Sequence, residues 1–289
     1  MLTKTADADD QALKGLLQTY STEVVARDQK GIAAAGALLR PGSEVFVANL
    51  PNDTIDNLVS ACVALRKAGM EPVPHIPART TPSRAALETT LKRVTSEAGV
   101  VRALVIGGDV DKAVGEFDAA IQLIETGLFE QNGIKKIALA VHPEGHPRVA
   151  DELMWPALPV KLKAAKERGL ETYLVSQFAF DAAPYIKTAR RLRADGITEP
   201  LRVGVAGPAK RTTLIKYALM CGVGASLRAL RERHDMAANM AAGETPEALL
   251  RELAAAQAAE PSLGIDSVHF FTFGSLEGSV TLAETLRKG

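Results

Sequence analysis

Several polar side chains of this sequence stand at the carboxyl ends of short apolar segments, which are the segments expected to form buried strands. In chain order the residues at these ends are Glu23, Asn49, His75, Asp109, His142, Gln177, Gly207 and Thr272, and all of them except Gly207 carry a polar side chain. The set contains carboxylates, an amide and imidazoles. Such groups suit the recognition of a polar heterocycle combined with one protonation step.

The segment Ala103–Asp109 shows this arrangement most clearly. Four apolar residues lead into Gly107 and Gly108, and the run stops at Asp109. A short apolar run bounded by glycine is typical of a buried parallel strand. Because glycine lets the backbone turn sharply or approach a ligand closely, Asp109 is predicted to lie where this strand passes into a loop.

The segment His142–Pro147 raises the alternative of a metal site, because it holds two histidines and a glutamate. A zinc protease would need its histidines on one helix, and the prolines and the glycine of this segment prevent that helix. No lysine ends a predicted strand, which argues against Schiff-base chemistry. The sequence therefore predicts no metal and favours acid–base chemistry.

The elements that must position these side chains alternate between strand and helix. Eight predicted strands and their helices occupy residues 20–289, after an N-terminal extension with a short helix at 1–19. This alternation predicts an α/β fold with a parallel sheet covered on both faces. Eight units favour a single (β/α)8 TIM barrel, whose active site lies at the carboxyl ends of the strands. A doubly wound open sheet is the competing architecture, but no GxGxxG follows the first strand.

Prolines and alanines set several element boundaries. Pro159 is expected to open a helix that runs to Arg168, since proline is favoured in the first turn of a helix. The prolines of Glu71–Ile76 are awkward for a central strand, although this segment is predicted to be one. The alanine-rich segment Lys210–Ala259 is predicted to be helical.

The composition narrows the class of protein. Thirty-four basic residues balance thirty-four acidic ones, which indicates neither a nucleic-acid-binding surface nor attraction to an anionic membrane. Cys62 and Cys221 fit no metal-ligand spacing and are expected to be buried free thiols. Residues 1–10 lack the apolar core of a signal peptide, and no run approaches a membrane span. We expect a cytoplasmic protein, and the sequence is compatible with a homo-oligomer.

Short segments at the ends of the predicted strands resemble motifs of the methylenetetrahydrofolate reductases, a family of flavin-dependent (β/α)8 barrels. The segments are Ser21-Thr-Glu23, Pro74-His75, Gly108-Asp109, Pro143-Glu-Gly-His-Pro147, Ser176-Gln-Phe-Ala-Phe-Asp181 and His269-Phe-Phe-Thr272. They follow the family's order along nearly the whole chain. Each segment is short, but their common order on matching strands is specific.

The resemblance implies an activity and a set of cofactors. The reaction is the reduction of 5,10-methylenetetrahydrofolate to 5-methyltetrahydrofolate, a step of one-carbon metabolism that supplies methionine biosynthesis. NAD(P)H would reduce bound FAD, leave, and be replaced by the folate over the same face of the flavin. The sequence does not distinguish NADH from NADPH as the reductant.

The resemblance also implies residue roles. Glu23 would be the catalytic acid that protonates N10 of folate, and Asp109 would lie beside the pterin and the flavin. Gln177 and Phe178 would bind substrate together with Asp109. The cofactor-binding residues would be His75, Gly108, Asp109, Ala140, His142, His146 and Lys163. A buried strand position should raise the pKa of Glu23 by desolvation, which suits an acid working near neutral pH.

The chain departs from the family pattern mainly at flavin contacts. Gly107 replaces the family arginine before Gly-Asp, and residues 273–275 replace Leu-Asn-Arg. FAD is therefore expected to bind weakly. Two alternatives stay open beside a flavin-dependent reductase. One is a flavin-free reduction or another one-carbon step on the same barrel, and the other is a non-catalytic subunit that binds folate or flavin.

Overall fold

The strands of the protein were traced in a computed structural model that describes residues 10–224 and 245–288. They are β1 (Ser21–Val25), β2 (Glu44–Ala48), β3 (Glu71–Pro77), β4 (Arg102–Ile106), β5 (Lys136–Val141), β6 (Glu171–Ser176), β7 (Leu201–Ala206) and β8 (Ile265–Phe271). Each of them coincides with an apolar run of the sequence, with small shifts at the ends.

Helices separate successive strands. They are α1 (residues 10–16), α2 (Gln29–Leu38), α3 (Ile55–Lys67), α4 (Arg84–Ala98), α5 (Ala120–Glu125), α6 (Leu128–Gln131), α7 (Asp151–Glu167), α8 (Ala182–Ala194), α9 (Arg211–Met220), α10 (Glu247–Ala259) and α11 (Leu276–Lys288). In α4 the hydroxyl of Ser83 caps the first turn by accepting the N–H of Ala86, and Gly99 ends the helix in the left-handed conformation. Its buried residues recur at helical spacing, which turns one apolar face inward.

The strands form a closed barrel in which β1 to β8 follow one another in chain order. Neighbouring strands run parallel, and β8 pairs with β1 through Ser21 opposite His269. Parallel strands in chain order with helices between them define a (β/α)8 barrel. The predicted fold class is confirmed. The open-sheet alternative is wrong, because β1 and β8 pair instead of leaving two free edges.

The chain divides into two compact units. The first comprises Met1–Thr22, Val141–Asp151 and Val175–Gly289, and the second comprises Glu23–Ala140 and Glu152–Leu174. The carboxyl ends of β1 to β4 belong to the second unit, and those of β5 to β8 belong to the first. Among the candidate residues, Glu23, His75 and Asp109 therefore lie in the second unit, whereas His142 and Gln177 lie in the first.

β3 is a complete strand in spite of its prolines, as predicted. Pro72 and Pro74 pair with Val45 and Val47 of β2, and His75 onward pairs with β4. Since alternate residues of a strand turn their N–H groups to the same side, the donors that Pro72 and Pro74 lack fall on one side only, and the third proline, Pro77, stands at the end of the strand. The strand can therefore keep its hydrogen bonds on the other side.

The helix after β5 is longer than the sequence predicts. α7 begins at Asp151 and holds Pro156 and Pro159 inside it, so the prediction that Pro159 opens the helix is wrong. Leu158 and Leu162 are buried on one face. Burial of this face outweighs the backbone hydrogen bonds that the prolines remove, since most helix stability in proteins comes from packing.

Three further expectations have simple outcomes. α9 and α10 occupy the two ends of the predicted helical segment Lys210–Ala259, and residues 225–244 lie outside the described residues. Both cysteines are free thiols, but only Cys62 is buried, because Cys221 stands at the half-exposed end of α9. Within residues 10–224 and 245–288, none of the helices combines the length and the apolar character needed to cross a membrane.

Candidate active site

Glu23 and His75 form a close pair in the second unit. Glu23 lies in β1 and His75 lies in β3, and the Glu23 Oε2 and His75 Nε2 atoms are 3.6 Å apart. Their side chains are 19% and 13% exposed. The ring of Phe46 in β2 stands edge-on to the imidazole, with 6.0 Å between ring centroids. A carboxyl group and an imidazole thus meet beside an aromatic ring, with little access for water.

Burial governs the protonation of both groups. Desolvation raises the pKa of Glu23 from 4.5 to about 7 and lowers the pKa of His75 from 6.5 to about 4. At neutral pH the imidazole of His75 is therefore uncharged, and a large fraction of the Glu23 carboxyl groups is protonated. The two groups form no ion pair under these conditions, because His75 lacks the positive charge. The raised pKa expected for a carboxyl group on a buried strand is confirmed.

The Nε2 atom of His75 is buried and has no hydrogen-bond partner among the described residues. Buried polar atoms are nearly always hydrogen-bonded in folded proteins, so an unpaired one requires an explanation. Its distance of 3.6 Å from Glu23 exceeds hydrogen-bond range. The atom is therefore available to a polar group of a ligand, or to the acid proton of Glu23 after a small approach.

The end of β4 has the backbone geometry that its glycines predict. Gly108 adopts a φ of 95°, and a β-carbon there would lie 3.2 Å from Cβ of Pro77. A residue with a side chain would be strained at this position. Asp109 follows at an exposed position at the start of the loop. At Gly107, by contrast, an added β-carbon would meet no atom within 4 Å, so this position has room for a larger side chain.

In the first unit a set of hydrogen bonds fixes the residues that follow β6. The Ser176 hydroxyl donates to the carbonyl of Gln177 over 3.0 Å and accepts the N–H of Gly204 over 2.8 Å. The backbone N–H of Gln177 donates to the carbonyl of Val141 over 2.8 Å. The side-chain oxygen of Gln177 accepts the N–H of Phe178 over 3.0 Å. Neighbours on β5 and β7 therefore hold Gln177 in place.

Tyr185 of α8 also positions this segment, and the sequence reasoning missed it. The side chain is fully buried, and its hydroxyl accepts the N–H of Ala179 and contacts the carbonyl oxygens of Ala179 and Gly204. Desolvation raises the pKa of Tyr185, so the hydroxyl keeps the proton that it donates. The signal in the sequence is an aromatic residue on the apolar face of a helix that directly follows the Ser176–Asp181 motif.

Aromatic rings gather around Phe178 at the ends of β6 and β8. Phe178 is 1% exposed and stands edge-on to Phe180, Phe271 and Phe273 at 5.7, 5.5 and 5.3 Å. Phe273 also stacks on Tyr217 of α9 at 4.5 Å, and its φ of 47° is costly for a bulky residue. The predicted substrate contact Phe178 is the buried centre of this cluster.

The other histidines among the described residues, His142, His146 and His269, lie in the first unit. His142 and His146 stand edge-on at 4.8 Å between ring centroids, and Nδ1 of His146 accepts the backbone N–H of Arg148 over 3.1 Å. Nδ1 of His269 lies 3.0 Å from the hydroxyl of Ser21 in a buried pair. In the described ranges, no group of three or more His, Cys, Asp or Glu side chains is placed to hold a metal ion.

Two further expected cofactor residues, Ala140 and Lys163, also lie in the second unit. Ala140 is a half-buried residue of β5. Lys163 lies on the outer face of α7, where its side chain is 78% exposed and its ammonium group is 3.8 Å from Glu167. The nearby Lys161 is partly buried, and desolvation lowers its pKa. Sequence could not separate these two lysines, because their burial depends on how α7 packs.

The residues present fit part of a flavin site. The unpaired nitrogen of His75 offers a hydrogen bond to the polar edge of a ring, and Gly108 lets the backbone approach a flat ring closely. Positive charge for a diphosphate comes from Lys163 at an exposed position, and Gly107 supplies none. The donor set therefore suits a flat heterocycle better than it suits the phosphate groups of a cofactor.

The closed barrel of eight parallel strands in chain order, with acid, amide and imidazole groups in the strands or directly after them, defines the class of the protein as a (β/α)8 barrel. The chain is similar in structure to a Yersinia pestis DHPS with a pterine-sulfa conjugate, with 12% identity, 96% of each chain covered and a TM-score of 0.49. It is also similar to a dihydropteroate synthase from Thermus thermophilus, with 14% identity, 92% of this chain and 93% of that chain covered, and a TM-score of 0.47. Residues 53–285 match the family model described as methylenetetrahydrofolate reductase, and the chain belongs to this family.

Proposed function

We propose that this protein reduces 5,10-methylenetetrahydrofolate to 5-methyltetrahydrofolate, with NADH or NADPH as reductant and weakly bound FAD as cofactor. The observation that carries the proposal is the buried carboxyl group of Glu23, whose pKa is about 7. The reaction needs a proton donor that is still protonated near neutral pH, and an ordinary exposed glutamate is not. Membership of the methylenetetrahydrofolate reductase family supplies the substrate class.

Glu23 acts as the general acid in this proposal. Its proton passes to N10 of the folate, the bond between N10 and the methylene carbon breaks, and the carbon remains joined to N5 as an iminium ion. A hydride then adds to that carbon and gives the methyl group. The hydride comes from NAD(P)H, and bound FAD would supply the hydride-transfer chemistry between this reductant and the folate. The balance is one hydride from the reductant and one proton from Glu23.

The remaining residues bind and orient. Asp109, exposed at the end of β4, is proposed to bind the pterin and the flavin, and Gln177 with Phe178 to bind the folate. We assign the contacts to the cofactor to His75, Gly108, Ala140, His142, His146 and Lys163. An exposed ion pair contributes little to stability, so Lys163 can leave Glu167 for a phosphate group at small cost.

The test begins with the purified wild-type protein. We expect a visible flavin spectrum when FAD is added, and oxidation of NAD(P)H that depends on 5,10-methylenetetrahydrofolate. Glu23→Gln should lose about 10²–10⁴-fold in folate reduction, because an amide cannot give up a proton at neutral pH. The same variant should still oxidise NAD(P)H with an artificial electron acceptor, since that half-reaction needs no proton from Glu23.

Glu88→Gln is the matched control, because Glu88 is an exposed residue of α4. It should keep both activities. If Glu23→Gln retains more than about a tenth of the folate turnover, the acid is another residue. Folate reduction by protein that binds no FAD would favour the flavin-free alternative. The absence of the family arginine at Gly107 is the observation that favours this alternative. Binding of folate without any turnover would favour the non-catalytic alternative.

A further inference from the structure

The segment between β4 and α5, residues 107–119, has no regular secondary structure. It begins with the glycines at the end of β4 and carries Asp109 at an exposed position, whereas Phe117 near its far end is buried. Long segments without secondary structure inside a compact fold usually serve a function, and a functional loop must be held in one conformation to bind a ligand well. The contacts that keep residues 107–119 in one conformation therefore bear on how Asp109 is positioned.

The backbone of Arg79, which follows β3, is hydrogen-bonded to the segment at two points. Its N–H donates to the carbonyl of Gly107 over 2.9 Å, and its carbonyl accepts the N–H of Val114 over 2.8 Å. Neighbours add to this attachment, since Glu116 donates its N–H to the carbonyl of Pro82 over 3.2 Å. The side chain of Glu116 accepts the N–H of Arg84 over 2.9 Å.

The guanidinium group of Arg79 spans the same segment. Nη1 donates to the carbonyls of Val110 and Asp111 over 3.1 and 3.3 Å, and Nε donates to the carbonyl of Asp118 over 3.1 Å. One planar group thus joins the residues directly after Asp109 to the residues just before α5. A lysine ammonium is a point charge on a flexible stem and cannot reproduce this fork of donors.

The fit between the segment and the residues after β3 is close. A β-carbon at Gly115 would lie 1.8 Å from the carbonyl oxygen of Pro82, and one at Gly108 would lie 3.6 Å from Cβ of Arg79. The segment therefore rests directly on the residues that carry Arg79. A shift of the segment would break the guanidinium hydrogen bonds together, since they come from a single rigid group.

We propose that Arg79 is a positioning residue that fixes Asp109 by clamping residues 107–119 in a single conformation. This role rests on the proposed function, in which Asp109 binds the flat ring of the flavin or the pterin. Arg79 does not touch the ligand, and it acts through the backbone of the segment.

Arg79→Gln and Arg79→Lys test the clamp, because both leave the backbone hydrogen bonds of residue 79 in place. Hydrogen exchange of the amides of residues 108–118 should become faster in both variants. The Kd for FAD and the KM for the folate should rise about tenfold to a hundredfold, with a smaller change in kcat. Free guanidinium ion should restore part of the affinity to Arg79→Gln, which a general loss of packing would not allow.

Arg93→Gln is the matched control, since Arg93 makes comparable contacts with Asp56 and Glu97 on the outer side of α4. It should leave both the exchange of residues 108–118 and the ligand affinities unchanged. Unchanged exchange in the Arg79 variants would overturn the clamp. Faster exchange with unchanged affinity would overturn the positioning role. If wild-type protein binds neither FAD nor folate, the proposed function fails, while the exchange measurement still decides whether Arg79 holds the segment.

Discussion

The pair formed by Glu23 and His75 shows how one structural cause, burial, produces two opposite chemical effects. Removal from water disfavours the charged form of each group, so the acid keeps its proton and the imidazole stays neutral. Because the pKa of His75 lies below that of Glu23, the proton stays on the carboxyl group and does not pass to the imidazole 3.6 Å away. The acid is therefore still protonated at the pH where an acid catalyst is needed.

The rate of folate reduction should depend on pH through Glu23. The protonated form is the active one, and it predominates below a pKa of about 7. The rate constant of the folate half-reaction should therefore be level at acidic pH and fall about tenfold per pH unit above the pKa. Rapid mixing of reduced enzyme with folate over a range of pH measures this profile. A rate that stays level up to pH 9 would remove Glu23 from the role.

Stability should depend on pH in opposite ways at the two residues. The pKa of Glu23 rises on folding from 4.5 to about 7, so its contribution to stability is lost as pH rises through this range. The pKa of His75 falls from 6.5 to about 4, so its contribution is lost as pH falls through that range. Between pH 5 and 6.5 the two slopes, each about 1.4 kcal/mol per pH unit, should largely cancel.

Single variants should separate the two slopes. Relative to wild type, the free energy of unfolding of Glu23→Gln should rise with pH by about 1.4 kcal/mol per unit, because only the His75 contribution remains. That of His75→Phe should fall by a similar amount. Urea unfolding at several pH values between 5 and 6.5 measures both. Curves that run parallel to wild type for both variants would contradict the assigned pKa shifts.

At the scale of elements, the strand ends are held by side chains from elsewhere in the same unit. Tyr185 reaches from α8 to the segment after β6, and Arg79 reaches from the segment after β3 to the segment after β4. In both cases a side chain forms hydrogen bonds with backbone groups of a loop, and within the described part of the chain no neighbouring strand pairs with these groups. Backbone groups satisfied in this way keep a loop ordered without making it part of the sheet.

Tyr185→Phe removes the hydroxyl without changing the shape of the ring. The buried N–H of Ala179 then loses its hydrogen bond, which should lower the free energy of unfolding by about 1–3 kcal/mol. We also expect faster hydrogen exchange at residues 177–179 and a higher KM for folate. Tyr173→Phe is the control, because the Tyr173 hydroxyl contacts Glu44 at a long distance of 3.4 Å. Equal losses in the two variants would argue against a special role for Tyr185.

At the scale of the whole molecule, the chain has a closed barrel and belongs to the methylenetetrahydrofolate reductase family, but it differs from the family motifs at places where the resemblance puts cofactor contacts. Residues 53–285 match the family model, and the barrel is closed. The missing arginine is not a matter of space, because a β-carbon at Gly107 would have no neighbour within 4 Å. Flavin affinity can therefore change in this chain without a change in fold.

Weak flavin binding should be visible in the stability of the whole protein. FAD should be lost on extensive dialysis, and the melting temperature should rise with added FAD by mass action. Gly107→Arg should strengthen FAD binding about tenfold to a hundredfold, the value of one charge-assisted hydrogen bond. Gly15→Arg is the control, since Gly15 also has free space but stands in α1. Wild-type protein that retains one FAD per chain through dialysis would contradict the expectation.

The sequence by itself determined the alternation of strands and helices and the approximate position of each strand, and it favoured the closed barrel over the open sheet. These features are local, since apolar runs, glycines and helix caps act over a few residues. The bounds of β5 and β7 and the turn at Gly108 follow from such signals. These local signals did not predict the start of α7, because burial of Leu158 and Leu162 outweighs the tendency of proline to end a helix.

Only the tertiary structure decided which side chains meet and how deeply each is buried. The distance between Glu23 and His75, the hydrogen bonds of Arg79 and Tyr185 and the outward position of Lys163 depend on packing between segments far apart in the chain. Desolvation is set by everything that surrounds a group, so a pKa near 7 for Glu23 cannot be derived from its neighbours in sequence. The sequence nominates Glu23 as the acid of the proposed reaction, and the surrounding packing raises its pKa to about 7, a value that suits this role.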